Sequence, residues 1–192
     1  MSKNVDRRNF LKGSALLAVG AAAGWAAPFS VRALTAGGPS ADARLQELGL
    51  ELLPVTMPKN PFVPSVRVDN LLYTSGSGPR KAEGGYVYGK VGQDLTLEEG
   101  KAAARLTGIS ILSILQAELG SLDKVVRLVK VLGMANSTTD FKQQPAVING
   151  FSELMVEVFG ETAGKGARSA VGMGSLPANI PVEIEAIFQV RD

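Results

Sequence analysis

Residues 96–120 read TLEEGKAAARLTGISILSILQAELG, and this stretch carries the strongest secondary-structure signals in the chain. Thr96 and Glu99 can form a capping box, in which each side chain bonds the backbone amide of the other residue. Gly120 is the residue type that ends helices in the left-handed conformation. Apolar residues recur between them at helical spacing: Ala102, Leu106, Ile109, Leu112, Leu115 and Leu119. The stretch predicts one long helix over residues 97–119, with a wide apolar face.

The rest of the chain after residue 40 predicts two more helices and a set of short strands. Helices are expected at 42–53 and at 146–159, where Pro145 suits the first turn and Gly160 the end. Runs of apolar and β-branched residues predict the strands: 66–68, 71–74, 86–88, 125–134, 169–173 and 182–190. Asp69-Asn70 leaves two interpretations open, a tight kink or a break between two strand halves.

This order of elements, β-β-α-β-α-β-β, favours an α+β fold. Two long helices are too few to cover both faces of such a sheet, so we expect both on one face. The nearly continuous apolar run at 125–134 predicts a strand covered on both sides. The face without helices then needs a partner, which points to an oligomer.

Residues 1–33 have the pattern of an export signal. Residues 6–12, Asp-Arg-Arg-Asn-Phe-Leu-Lys, resemble the twin-arginine motif of Tat signals, and residues 13–31 carry no charge. Alanine and glycine give this stretch weak hydrophobicity, which favours a cleaved signal over a retained membrane anchor. The Tat translocase would deliver the protein to the periplasm. The chain therefore divides into a signal at 1–33, a linker with a short helix at 34–47, and a domain at 48–192.

Composition narrows the chemistry of that domain. The 192-residue chain has no histidine and no cysteine, which excludes nucleophile systems and metal sites built on imidazole or thiolate. Five of its 20 Lys and Arg residues, and one of its 18 Asp and Glu residues, lie in residues 1–33. The remainder holds 15 basic and 17 acidic residues, a net charge of −2. We therefore expect no nucleic-acid partner, and we expect no metal and no cofactor.

Four patches of sequence together resemble the RidA/YjgF family of enamine and imine deaminases. They are Leu72-Tyr73-Thr74-Ser75-Gly76, Asn149 before Phe151-Ser152-Glu153, Ala167-Arg168-Ser169-Ala170-Val171, and Leu176-Pro177 followed by Val182-Glu183-Ile184-Glu185-Ala186. The resemblance covers about residues 48–190, and the spacing of the last two patches is its most specific part. It implies a chorismate-mutase-like α+β fold and a homotrimer with ligand clefts between subunits.

The resemblance also implies roles for six residues. Arg168 would bind the carboxylate of a 2-imino or 2-enamino acid, because a guanidinium fork matches both carboxylate oxygens. Glu183 would orient the water that attacks the imine carbon. Asn149, Ser75, Gly76 and Phe62 would line the substrate pocket. Arg168 is the only charge between Lys165 and Glu183, so its strand is expected to offer little competing water.

Each of these residues also has an ordinary structural interpretation. Arg168 could pair with a neighbouring carboxylate, and Glu183 with Glu185 could form the solvated face of a strand. Two departures from the family pattern concern pocket polarity: Phe62 replaces a tyrosine that many members have, and Ala170 replaces a cysteine. Phe62 would favour a more apolar substrate side chain, or abolish turnover.

Two functions are compatible with these residues. The first is a deaminase of the 2-iminobutanoate/2-iminopropanoate type, which hydrolyses reactive imino acids to 2-keto acids and ammonia. The second is an exported trimer that binds small carboxylates such as 2-keto acids without chemistry. Retention of Arg168 and Glu183 favours the first, and the export signal favours the second.

Overall fold

A computed structural model describes residues 38–192, so the predicted export signal and the start of the linker lie outside the described residues. A five-stranded sheet forms the centre of this part, in the order β1-β2-β5-β3-β4. Only β3 and β4 run parallel, and the other neighbours are antiparallel. The strands are β1 Ser65–Val68, β2 Leu71–Thr74, β3 Val125–Asn136, β4 Ala167–Met173 and β5 Val182–Val190. The α+β fold predicted from the sequence is confirmed.

Three helices accompany the sheet: α1 Ala41–Glu47, α2 Leu97–Leu119 and α3 Gln144–Gly164. The bounds of α2 agree with the prediction, and both halves of the capping box are formed, with Gly120 in the left-handed conformation at the other end. Hydrogen bonds from the backbone and side chain of Thr96 lower the pKa of Glu99. Although α2 is long and apolar enough to cross a bilayer, 61% of its apolar window is buried inside the domain. It is therefore a core helix.

The two long helices pack together on one face of the sheet, as predicted. Alternate residues of β5 point into the resulting core, so Val182, Ile184 and Phe188 are fully buried. The helices approach closely because glycine lies between them: a Cβ on Gly150 would come 2.0 Å from the backbone carbonyl oxygen of Lys101. This close approach places α3 directly over β3 and β4.

The predicted apolar face of α2 is partly wrong. Ala102 is exposed and Leu106 is half-buried, whereas Ala103, Thr107 and Gly108 are buried. Small residues occupy the inner side because a Cβ on Gly108 would already lie 2.7 Å from the Leu154 side chain. The requirement for close packing against α3 therefore overrides the spacing of the large apolar residues.

Three strand predictions are corrected or resolved by the structure. Val68 pairs with Leu71, so Asp69-Asn70 is the turn between two strands. Residues 86–88 do not form a strand, since Tyr86 makes only an isolated bridge to Arg80. β3 is covered on one side only: its residues alternate between buried and accessible, because both long helices share the opposite face.

The face of the sheet without helices carries several accessible apolar side chains in the described chain, alongside charged residues such as Glu185. The exposed residues on it include Val66, Val68, Tyr73 and Val171. Soluble monomers rarely expose so many large apolar side chains together. We call this surface the open face.

Helix α1 is held to the domain by an exchange of hydrogen bonds. The Asp42 carboxylate accepts from the Leu122 amide at 3.0 Å and from the Ser121 hydroxyl at 2.6 Å. In return, the Asp42 amide donates to the Asp123 carboxylate at 3.3 Å. Arg44 reaches the far end of α3 and donates to the Val158 carbonyl at 3.4 Å. The short helix is therefore part of the folded unit.

Candidate functional site

The predicted site residues lie on two separate surfaces of one chain. The first surface is a groove between α3 and β4, and Asn149 and Arg168 line it. The second is a cleft beside the end of β2, lined by Phe62, Ser75 and Gly76. We refer to them as the arginine groove and the serine cleft.

Arg168 is held in a fixed position at the rim of the arginine groove. Its Nη1 donates to Asn149 Oδ1 at 2.8 Å and to Ser152 Oγ at 3.0 Å. These two acceptors are one helical turn apart on α3, which is why they meet the same nitrogen. Within residues 38–192, Nη2 and Nε of Arg168 have no hydrogen-bond partner, and no carboxylate pairs with it. The outer edge of the guanidinium is therefore open to an anion.

The expectation that Arg168 meets little water is wrong for the single chain. Arg168 is exposed, because β4 is the edge strand of the sheet and pairs only with β3. The arginine groove measures about 550 Å³ and has the buried side chains of Leu128 and Val131 at its floor. An exposed guanidinium above an apolar floor can bind an acid, but one chain does not enclose it.

Glu183 lies at the beginning of β5 on the open face of the sheet. Its carboxylate rests directly on Gly76, where an added Cβ would come 2.0 Å from Glu183 Oε1. The backbone beyond Gly76 is fixed to the same strand, since Ser77 and Ile184 exchange two hydrogen bonds of 3.0 Å. Glycine at position 76 is thus what makes room for the Glu183 carboxylate.

Burial raises the pKa of the Glu183 carboxyl, and the negative charge of Glu185 raises that pKa further. Glu183 is half-buried, whereas Glu185, two residues along the strand, is exposed. A carboxylate with a raised pKa is a better acceptor of a proton from water than an ordinary surface glutamate. Alternating acidic residues on a strand usually indicate a solvated face. Glu183 departs from that pattern, because it is half-buried.

The serine cleft lies next to Glu183 and measures about 650 Å³. Phe62 is 52% exposed at its edge. The Ser75 hydroxyl donates to the Val63 carbonyl at 2.6 Å, which fixes the extended segment before β1 against the end of β2. The cleft is therefore a formed surface with a hydroxyl at its base and an aromatic ring at its rim.

Arg168 and Glu183 point to opposite faces of the sheet. In β3, which lies between their strands, Val131 pairs with Arg168, and Met134 pairs with Glu183. Residues that pair across a ladder share a face of the sheet. Positions 131 and 134 are three residues apart in one strand, so their side chains point to opposite faces. One chain therefore does not bring the two candidate catalytic groups together.

Ser152 is a candidate site residue that the sequence patterns alone did not assign. It follows Asn149 by three residues in a predicted helix, and this spacing places the two side chains on one side of the helix. The spacing of Asn149 and Ser152 can be read from the sequence, but only the structure shows that both side chains face Arg168 on the neighbouring strand. Among residues 38–192, no group of three acidic side chains is arranged to hold a metal ion.

Comparison with protein families gives the class of the chain. The family described as "YjgF/chorismate_mutase-like, putative endoribonuclease" matches residues 42–184. A curated relative, Protein TCP17 of Trypanosoma cruzi, is 40% identical over 150 residues, which are 78% of this chain and 94% of the relative. The chain therefore belongs to the YjgF/chorismate-mutase-like family, as its sequence patches indicated.

Solved structures agree with this assignment. The protein Atu1372 of Agrobacterium tumefaciens, described as of unknown function, is 41% identical with a TM-score of 0.70; the match covers 79% of this chain and 94% of that one. A protein of Shewanella oneidensis described as a "putative endoribonuclease" is 29% identical with a TM-score of 0.75, over 79% of this chain and all of the other. The fold of the described residues is the fold of this family.

The export prediction is also supported by comparison. A twin-arginine translocation signal matches residues 4–24. The protein is therefore exported by the Tat pathway to the periplasm or beyond.

Proposed function

We propose that this protein is an exported deaminase of 2-imino and 2-enamino acids. The observation that carries the proposal is the anchored guanidinium of Arg168. Asn149 and Ser152 hold Nη1 and leave Nη2 and Nε directed away from them. Such an edge matches the two oxygens of a carboxylate, which the substrate carries next to its reactive carbon. Family membership supports the same site but does not specify the reaction.

The proposed reaction needs only water and one acid–base group. Glu183 accepts a proton from water while the water oxygen attacks the C2 carbon of the imine. The addition gives a carbinolamine, whose nitrogen takes the proton held by Glu183 and then the proton of the new hydroxyl group. The C2–N bond breaks as the C2=O bond forms, and the nitrogen leaves as ammonia. The product is the 2-keto acid, so atoms balance without a cofactor. The raised pKa of Glu183 suits this exchange of protons.

The complete site would be formed between two copies of the chain. Arg168 lies at the β4 edge and Glu183 on the open face, so one copy must offer the edge and the next copy the open face. Contacts between unlike surfaces generate rings when the rotation closes. We propose that the ring is the homotrimer that the family resemblance implies, and light scattering would then give three times the mass of the mature chain. In that ring the serine cleft, with Phe62, Ser75 and Gly76, would complete the pocket.

Removal of the Arg168 guanidinium tests the proposal. We expect Arg168→Ala to lower kcat/KM for 2-iminopropanoate, generated by an amino-acid oxidase, by about 100-fold or more, because two charge-assisted hydrogen bonds are lost. Arg168→Lys should recover only part of the loss, since an ammonium lacks the fork. Arg67→Ala is the matched control, because Arg67 is an arginine of β1 paired with Asp192 at the surface. Undiminished ammonia release by Arg168→Ala would refute the proposed role.

A second function, binding of small carboxylates without turnover, is favoured by one specific observation. The anion-binding part of the arginine groove is complete in one chain, whereas Glu183 lies on another surface. A binding protein would be stabilised against heat by 2-keto acids and would leave the rate of imine hydrolysis unchanged. An RNA partner, which the family description suggests, is opposed by the net charge of −2 after residue 33.

A further inference from the structure

The serine cleft contains a guanidinium group that the proposed reaction does not use. Arg80 lines this cleft together with Ser75 and Gly76, and it is half-buried. Its Nη1 and Nη2 both donate to the Pro54 carbonyl oxygen, each at 3.2 Å. This contact fixes the side chain and uses two of the five N–H groups of a guanidinium. Within residues 38–192 the other N–H groups have no hydrogen-bond partner, so they can bind an acid.

The charges that line the serine cleft leave Arg80 without a compensating anion. Two cations, Arg80 and Lys81, and one carboxylate, Glu83, line the cleft, which gives the lining a net charge of +1. Lys81 and Glu83 lie 3.8 Å apart and offset each other. No carboxylate pairs with Arg80 in the part of the chain that the structure describes. A substrate whose only acid group binds Arg168 would leave this second guanidinium unused.

Arg80 and the Glu183 carboxylate lie near the two ends of one short segment of backbone. Gly76 begins the segment, and an added Cβ there would come 2.0 Å from Glu183 Oε1. Arg80 follows four residues later, so the two α-carbons are at most about 14 Å apart. The segment is attached to α2, since the Ser110 hydroxyl donates to the Gly78 carbonyl at 3.1 Å. A five-carbon diacid and an arginine side chain together are long enough to span this distance.

We infer that the preferred substrates are 2-imino acids that carry a second carboxylate on the side chain. This inference rests on the proposed function, since it uses Arg168 of one copy and Glu183 of the next. The carboxylate beside the imine binds Arg168, and the imine carbon lies against Glu183. The side-chain carboxylate then binds Arg80 of the copy that supplies Glu183. A guanidinium forms strong, charge-assisted hydrogen bonds with a carboxylate, so Arg80 determines the specificity for the second acid group.

Two imines of equal chain length test the inference. Glutamate and norvaline differ only at the end of the side chain, where a carboxylate replaces a methyl group, and amino-acid oxidases convert each to its imine. Ammonia release above the spontaneous rate gives kcat/KM for the mature protein. We expect the glutamate imine to have the higher value by about tenfold or more, the effect of one charge-assisted hydrogen bond. Calorimetry with 2-oxoglutarate and 2-oxopentanoate gives a second readout that needs no turnover.

Variants of Arg80 separate acid binding from attachment of the Pro54 segment. Arg80→Gln removes the charge but keeps an N–H donor for the Pro54 carbonyl. It should lower kcat/KM for the glutamate imine by about tenfold more than kcat/KM for the norvaline imine. Arg80→Lys keeps a positive charge without the fork, so it should retain part of the preference. Arg191→Gln is the matched control, because Arg191 is an exposed arginine outside the cleft whose Nη2 donates to the Asp123 carbonyl at 2.7 Å.

The outcomes separate this inference from the proposed function. Equal kcat/KM for the two imines, or an equal loss for both in Arg80→Gln, would overturn the substrate class and leave the deaminase standing. Preferential binding of 2-oxoglutarate that Arg80→Gln abolishes, without turnover of either imine, would overturn the deaminase and support the role of Arg80. No turnover and no keto-acid binding by the unaltered protein would overturn both.

Discussion

The Arg168 end and the Glu183 end of the proposed site are built in different ways. Arg168 is exposed on an edge strand and is fixed by two hydrogen bonds to a helix. Glu183 is half-buried within the sheet and is fixed by contact with the backbone of a glycine. The first arrangement orients a charge that is already present at neutral pH. The second changes the pKa of a group, which is what proton transfer requires.

Loss of the carboxylate at the Glu183 end should have the largest effect. We expect Glu183→Gln to lower kcat for imine hydrolysis by about 100- to 10,000-fold, because the amide cannot accept the proton of water. The KM should change little, since Arg168 still binds the acid. Single-substrate kinetics with 2-iminopropanoate measures both constants. A variant that keeps its kcat and loses only affinity would assign Glu183 to binding.

A methyl group placed under the carboxylate should have the next largest effect. Gly76→Ala would put a Cβ 2.0 Å from Glu183 Oε1, so the carboxylate must move. A displacement of about 1 Å from the reacting atoms can cost about 100-fold in rate, and we expect a loss of about 10- to 100-fold here.

The control for this variant is Gly174→Ala, whose Cβ would meet nothing within 4 Å and whose backbone is not in the left-handed region. Both variants should unfold at nearly the same temperature as the unaltered protein, because the end of a side chain can move at little cost. Full activity of Gly76→Ala would show that the position of the Glu183 carboxylate is not important for turnover.

The pH dependence of turnover distinguishes the two ends further. Turnover should rise with pH as Glu183 loses its proton, about tenfold per pH unit below its pKa, and then level off. The midpoint should lie above 4.5, the ordinary value, because burial and the charge of Glu185 raise the pKa. Glu185→Gln removes one of these causes, so it should move the midpoint to lower pH. A profile with the same midpoint in Glu185→Gln would contradict this assignment.

The raised pKa of Glu183 also predicts how the stability of the protein depends on pH. The folded protein binds the Glu183 proton more tightly than the unfolded chain does. The stabilisation is therefore complete below pH 4.5 and is lost as the pH rises through the raised pKa. Thermal unfolding of Glu183→Gln across this range should lack that loss.

The smallest effects are expected from the residues that hold Arg168. Asn149→Ala and Ser152→Ala each remove one hydrogen bond to Nη1, and each should raise KM by about three- to tenfold. The kcat should be nearly constant, because neither residue touches the reacting carbon in the proposed arrangement. Ser65→Ala, which removes a long surface bond to Glu118, is the control. Equal losses in kcat and in kcat/KM would mean that these residues act in the reaction itself.

Local signals in the sequence predict most of the fold. The ends of α2 are predictable because Thr96, Glu99 and Gly120 act within a few residues of their own positions. The end of α3 is less predictable. Gly160 interrupts the regular helix with a φ of 80°, but helical turns continue to Gly164. The guanidinium of Arg44, more than a hundred residues earlier, lies against that break. A contact between such distant residues leaves no local pattern.

For a similar reason, the sequence could not predict that Arg168 and Glu183 point to opposite faces of the sheet. Whether two strand residues share a face depends on the register of both strands with β3, which lies between them. A shift of either register by one residue would move every side chain of that strand to the other face. The sequence patches predict Arg168 and Glu183 as candidates, and the topology places them on opposite faces of the sheet in the single chain.

The hydrogen bonds that Asp42 exchanges with Ser121, Leu122 and Asp123 have a practical consequence for truncation. A recombinant fragment that starts at residue 48 would lack Asp42, the only described partner of the Leu122 amide. It would also expose the apolar surface on which α1 packs. A fragment that starts at Gly38 keeps these bonds and also Ser40, whose hydroxyl caps the first turn of α1. We therefore expect the fragment that starts at residue 48 to be less stable than the fragment that starts at Gly38.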